Sequence, residues 1–181
     1  MKEFAKTAKN AADFLNQLDD LAVPMIGVDP SMVLCYRDEY AKILGESRGE
    51  FKVHLVHEWL LQLDLPKVTQ SKAQNYALFG HCSEKTALPV SEKQWQQIFQ
   101  KTGLNLSAVS VGCCGMAGTF GHEASHIAES TGIYQLSWQQ AVSQYQPEQI
   151  VATGYSCRSQ VARFEDFKHK HPLQILAIGL D

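Results

Sequence analysis

With 181 residues, 45% of them hydrophobic and 19% charged, the chain is long and apolar enough to bury a core, which excludes disorder as its main state. Lys and Arg number 16 against 19 Asp and Glu, a formal charge of −3, and the basic residues are scattered, so the electrostatic footprint of a nucleic-acid partner is missing. No stretch reaches the roughly 18–20 consecutive apolar residues of a membrane span. The start Met1-Lys2-Glu3-Phe4-Ala5-Lys6 lacks the apolar region of an export signal, so a cytoplasmic protein is expected.

Apolar residues recur at helical spacing from Phe4 through Ala8, Ala11, Ala12 and Leu15 to Leu18, which predicts a helix to about Asp20. The run Val23 to Val28 reads as a short strand, and Asp29-Pro30-Ser31 offers a capping carboxylate and a proline for the first turn of a following helix. Val53 to Leu65 reads as a helix whose first residues also suit a strand. Three apolar runs then each end at a cysteine: Tyr76 to His81 before Cys82, Ala108 to Gly112 before Cys113 and Cys114, and Ile150 to Gly154 before Cys157. Helices are expected at about 91–102, 122–132, 136–145, 156–168 and 172–180. This alternation predicts an α/β fold, a mainly parallel sheet with helices on both faces and thiols at its carboxyl rim, where such sheets collect ligands. Beyond the recurrence of strand and cysteine, no simple repeat is visible.

The chain has 5 cysteines. An odd number, an adjacent pair and no export signal argue against a disulfide framework and for metal or redox use. Cys82, Cys113, Cys114 and Cys157 would supply the four thiolates that zinc or an iron–sulfur cluster needs, although the spacing matches neither paired zinc ligands nor a ferredoxin run. Side chains of adjacent residues diverge in a strand, so Cys113 and Cys114 can serve one centre only where the backbone turns. Gly112, Gly115, Gly118 and Gly121 provide that turn and let main-chain N–H groups approach sulfur.

The segment Gly112-Cys113-Cys114-Gly115-Met116-Ala117-Gly118-Thr119-Phe120-Gly121 resembles the hallmark of the cysteine-rich CCG domain. That domain occurs in heterodisulfide reductase, in anaerobic glycerol-3-phosphate dehydrogenase, and in the C-terminal part of FAD- and iron–sulfur-containing D-2-hydroxy-acid dehydrogenases of the D-lactate and D-2-hydroxyglutarate type. The last group is the most similar. Arg37-Asp38-Glu39-Tyr40, Gly80-His81-Cys82, Thr153-Gly154-Tyr155-Ser156-Cys157-Arg158 and His171-Pro172-Leu173 extend the likeness from about residue 20 to the end. The resemblance implies two CCG-type repeats, of which residues 1–48 would be the tail of the first and residues 49–181 the second, packed as one domain. Met32 stands where the first repeat's closing cysteine is expected. Gly154 stands where much of the family has a cysteine, three residues before Cys157, so four thiolates and a 4Fe–4S-like centre are implied rather than a five-thiolate one.

The same resemblance implies electron transfer, with Cys82, Cys113, Cys114 and Cys157 as metal ligands and Gly112, Gly115 and Gly118 lining the cofactor. FAD and substrate would belong to flavin-binding and ferredoxin-like domains or subunits of a parent oxidoreductase, which could carry the chain to the inner face of the membrane. A zinc-binding or thiol-redox module, and a structural docking domain without metal, are the alternatives. Cys35 matches no ligand position and reads as a small core residue, and His81 reads equally as a strand-end histidine or a partner of the sulfurs. His122-Glu123-Ala124-Ser125-His126 spells the zinc-hydrolase pattern H-E-x-x-H but follows a glycine loop instead of lying inside an apolar helix, which disfavours a hydrolase. Trp59, Trp95 and Trp138 read as core or interface anchors.

Overall fold

The computed structural model describes residues 2–69 and 75–178. The chain divides into two compact units, Met1–Gln62 and Leu63–Asp181. Residues 49–62, which the sequence groups with the second repeat, therefore pack with the first unit.

In the first unit α1 (Lys2–Asp20) buries Ala8 and Ala12, one helical turn apart. Asn16 ties it to the segment after residue 48: its side-chain amide donates to Arg48 O at 2.8 Å and its oxygen accepts from the N–H groups of Glu50 and Phe51. Strand β1 (Met25–Gly27) leads into α2 (Pro30–Arg37), where Asp29 caps the first turn by accepting from Ser31 N–H at 3.0 Å, as the Asp-Pro-Ser sequence predicts. After α3 (Glu39–Leu44) the chain returns as β2 (Val53–Leu55), parallel to β1 with Met25 opposite Val53. The helix expected over 53–65 thus begins as a strand and is helical only in α4 (Val56–Leu60). Pairing with β1 draws Val53 to Leu55 out of the helix, and Glu58 reaches back to accept from Leu55 N–H at 2.8 Å, fixing the start of α4 at the strand's end.

The second unit is built on a parallel sheet of β4 (Asn105–Ala108), β3 (Asn75–Phe79) and β5 (Ile150–Ala152) in that order. The sheet is surrounded by α5 (Cys82–Ala87), α6 (Ser91–Lys101), α7 (Ile127–Val142), α8 (Tyr155–Phe164) and α9 (Pro172–Leu176). The α/β class and parallel pairing hold, in two small sheets instead of one. The strand expected at 108–112 lies three residues earlier, because register with β3 places Asn75 opposite Asn105 and Leu78 opposite Ala108. Only Leu106 of this edge strand is buried, so the more apolar residues that follow gave the misleading signal. Helices expected at 122–132 and 136–145 are instead two 3-10 turns, Phe120–His122 and Ala124–His126, and the single helix α7. Gly132 does not break α7, because Ser130, Tyr134, Trp138 and Val142 form a buried stripe at every fourth residue. Residues 179 and 180 of the helix expected at 172–180 lie outside the described residues.

The core of this unit joins Phe79, Val111, Met116, Trp138, Ile150 and Val161 with Cys114 and Cys157. One chain path occurs in both units. Met25, Gly27 and Pro30 at the boundaries of β1 and α2 correspond to Ile150, Ala152 and Tyr155 at those of β5 and α8. Ile26 pairs with His54 just before α4, and Val151 bridges Lys170 just before α9. Met32, the third residue of α2, corresponds in its own unit to Cys157, the third residue of α8. Side-chain identity is mostly lost between the two passages, so this repetition is legible in the backbone and not in the sequence.

Candidate functional site

Two junctions between strand and helix carry one cysteine each. Cys82 opens α5 after β3, and Cys157 lies in the first turn of α8 after β5. The junctions are tied together directly: His81 N–H donates to Thr153 Oγ1 at 2.9 Å, and Thr153 Oγ1 donates to Glu84 Oε2 at 2.6 Å. All three residues are buried, where such bonds are shielded from water. Arg158 donates to the carbonyls of Ala152 and Thr153, bracing the end of β5 from its own helix.

Cys113 and Cys114 sit on the irregular segment between β4 and the first 3-10 turn. Its carbonyls and N–H groups are held by side chains from elsewhere in the unit. Lys85 donates to Val111 O at 2.6 Å, Trp138 Nε1 donates to Gly112 O at 3.0 Å, Gly112 N–H donates to Ser137 Oγ at 3.1 Å, and Ser130 Oγ donates to Gly115 O at 2.8 Å. Gln160 in turn donates to Ser130 Oγ at 2.8 Å. Gly115 adopts φ +89°, and a Cβ there would overlap the Ser130 carbonyl oxygen, so both torsion and space require glycine. This is the turn that lets adjacent cysteines face one place.

The four thiols neighbour one another in the order Cys82, Cys113, Cys114, Cys157, close enough for each to shift the next. Interaction with Cys114 and Cys82, the Gly115 N–H at 3.3 Å and the neighbouring His81 hold the Cys113 thiol well below its ordinary value, against the resistance of burial. Cys82 is pushed up by its interaction with Cys113, by burial and by the neighbouring sulfurs. Cys114 is pushed up by its interactions with Cys113 and Cys157 and by burial. One thiolate is thus stabilised within this succession while its neighbours keep their protons. The Gly115 N–H donates to Cys113 Sγ, and the main-chain N–H groups of Ser83 and Met116 act to lower Cys82 and Cys114 against the stronger upward causes. Four soft donors backed by N–H groups fit the chemistry of an iron–sulfur or tetrathiolate zinc centre. The thiols touch pairwise, and among the described residues no three His, Cys, Asp or Glu side chains are grouped to hold one metal ion.

Among the other residues singled out by sequence, Gly118 takes φ +68° with open space around it, whereas Gly112 shows neither a positive φ nor a close approach. Cys35 lies in α2 of the first unit, away from the chain of thiols in sequence and in unit. The H-E-x-x-H residues occupy two successive 3-10 turns, so the histidines do not share an α-helical face. His126 stacks on Phe120 with ring centroids 4.2 Å apart and pairs with Glu123 at 3.0 Å, while His122 Nδ1 faces Arg163 at 3.4 Å. Trp95 and Trp138 are fully buried core residues. Sequence reasoning missed Glu84, Lys85, Ser130 and Gln160, and gave Thr153 no role of its own. Each acts through a partner distant in the chain, so no local pattern marks it.

Over 97% of its length the chain is similar to curated proteins called D-2-hydroxyglutarate dehydrogenase, with 54% identity to that of Escherichia coli (strain K12) and 48% to that of Haemophilus influenzae. It spans 17% and 18% of their respective lengths. A more distant likeness, 24% identity over 87% of this chain and 41% of the relative, joins it to one of the subunits of the anaerobic glycerol-3-phosphate dehydrogenase of Escherichia coli (strain K12). No family model matches the chain, and no solved structure matches it.

Proposed function

We propose that the chain is an electron-transfer part of a flavin-linked D-2-hydroxy-acid dehydrogenase, with D-2-hydroxyglutarate as the substrate class and a 4Fe–4S-like cluster on Cys82, Cys113, Cys114 and Cys157. The observation that carries this reading is the succession of four neighbouring thiols, with the Gly115 N–H donating to Cys113 Sγ at 3.3 Å. When bound, such a cluster supplies one-electron storage and transfer. The residues of this chain hold it. Four thiolates ligate, the N–H groups of Ser83, Gly115 and Met116 favour the reduced, more negative state, and Gly112, Gly115 and Gly118 belong to the segment that wraps the sulfurs. The Thr153–Glu84 bond and the Ser130–Gly115 bond keep the three arms in register. FAD and the hydroxy acid belong, on this reading, to the other domains or subunits of a longer cytoplasmic enzyme. The relatives are several times the length of this chain.

The first unit fits the tail of a preceding CCG-type repeat. What supports this is the shared path of β1–α2 and β5–α8, which sets Met32 at the position of Cys157. No described helix is long and apolar enough to cross a membrane. Anaerobic reconstitution with iron and sulfide, followed by iron, sulfide and zinc analysis and visible spectroscopy, tests the reading. About four iron and four sulfide per chain are expected for a cubane held by four thiolates. Zinc in place of iron, or neither, would reject it.

A thiol-redox role is the second reading, favoured by the Cys113 thiolate in contact with two protonated thiols. Reversible formation of a Cys113 disulfide in the absence of iron uptake would select it.

A further inference from the structure

We infer that His81 is a member of the thiol site, whose imidazole fills the place of a fifth donor at position 154 and so limits the centre to four thiolates. The inference rests on the reading of the four cysteines as one centre, and it explains why a glycine stands at 154.

Gly154 caps α8 with φ −79° and ψ 134°, a conformation open to any residue, so torsion does not require glycine there. Space does. A Cβ at 154 would overlap Cδ2 of the His81 ring and would lie 3.0 Å from its Cγ and 3.1 Å from Cys157 Sγ. The direction in which a side chain at 154 would enter the site is therefore already taken by the imidazole. Positions 154 and 157, one turn apart at the start of a helix, share a face, so a donor at 154 would stand beside Cys157.

The ring is not there by looseness of the chain. The His81 main chain is bonded to Thr153 Oγ1 at 2.9 Å, its Nε2 lies 3.3 Å from Ser156 Oγ, and the residue is buried. His81 thus reaches the surroundings of Cys157 from the junction that carries Cys82. Exchanging a thiolate for an imidazole removes one negative charge from the centre, which favours the reduced form of any cluster bound there.

The test uses the full chain and begins without metal. Gly154→Ala should lower the unfolding midpoint by about 5 °C in the natural background, because a methyl group is forced into the ring. In the His81→Ala background the same substitution should cost less than half as much. An equal cost in both backgrounds would overturn the interlock. If Gly154→Ala alone fails to fold, recovery by His81→Ala supports the interlock and lack of recovery overturns it. Mild oxidation followed by peptide mapping should then show a disulfide between positions 154 and 157 in the Gly154→Cys, His81→Ala double variant and much less of it in Gly154→Cys alone. Equal amounts in the two would show that the imidazole does not hold the place. After reconstitution, the double variant should have a more negative reduction potential than His81→Ala alone, whereas an unchanged potential would show that position 154 is not a donor's place and would overturn the inference. Failure of the natural chain to take up iron would reject the iron–sulfur reading, while the metal-free comparison would still decide the interlock.

Discussion

At the scale of single residues, the cysteines separate into two populations by environment. Cys114 and Cys157 are 3% and 1% exposed and belong to the core of the second unit, yet they interact with each other, and Cys114 with Cys113, instead of packing as inert apolar groups. Single Ser substitutions at Cys82, Cys113, Cys114 and Cys157 are each expected to abolish or strongly weaken iron uptake, measured as iron content and visible absorption after anaerobic reconstitution. Cys35→Ser should leave both unchanged and cost about 1 kcal/mol of stability at most. Ligation also requires protons to leave. Cys82 and Cys114 are pushed up, so a metal must displace their protons, and iron retention should strengthen as pH rises and weaken on acidification. A titration of iron release against pH checks this, and release that grows towards alkaline pH would contradict it.

At the scale of elements, the joints between strand and helix carry the specific chemistry. In the first unit Arg37 spans β2 and α4, donating to Val53 O at 2.8 Å and to Glu58 Oε1 at 3.0 Å, while Glu58 also accepts from Leu55 N–H. Burial would raise the Glu58 carboxyl, but the bonds from Arg37 and Leu55 outweigh it and hold the group below the usual carboxylate range. Its stabilising effect is therefore present above the ordinary carboxylate range and is lost as pH falls through the lowered value. Glu58→Gln should destabilise the chain by about 1–3 kcal/mol at neutral pH and reduce the acid sensitivity of unfolding, checked by denaturant melts at several pH values. In the second unit the corresponding joint is the turn at Gly115. Gly115→Ala must carry φ +89° and push against the Ser130 carbonyl, so a loss of about 1–3 kcal/mol together with reduced iron uptake is expected.

At the scale of the whole molecule, all four thiols and the cluster of core residues around them lie in the second unit. A chain of residues 63–181 should fold and take up iron as the full chain does, compared by circular dichroism and iron content. This unit should also show an acid-sensitive range of its own. Burial presses the His169 imidazole down to about 4 from its ordinary 6.5, where it stacks against Phe79. Between those values the unfolded chain takes up a proton that the folded chain refuses, so stability falls as pH drops through the window. His169→Phe should flatten that part of the stability profile, and an unchanged slope would show that another group is responsible.

Composition and spacing by themselves determined the α/β class and the parallel pairing, because hydrophobic period and turn chemistry are local properties read within a few residues. The first helix, the cap at Asp29 and the helix at Ser91–Lys101 are legible for the same reason. Tertiary structure alone decided the rest. Pairing with a distant strand turned Val53 to Leu55 from helix to strand and set β4 at 105–108. A buried stripe kept α7 continuous through Gly132. Most of all, the meeting of His81 with Gly154, of Thr153 with Glu84 and of Ser130 with Gly115 joins residues that are 15 to 73 positions apart. Such contacts form only when separate strand ends are brought to one place, and no periodicity in the chain records them.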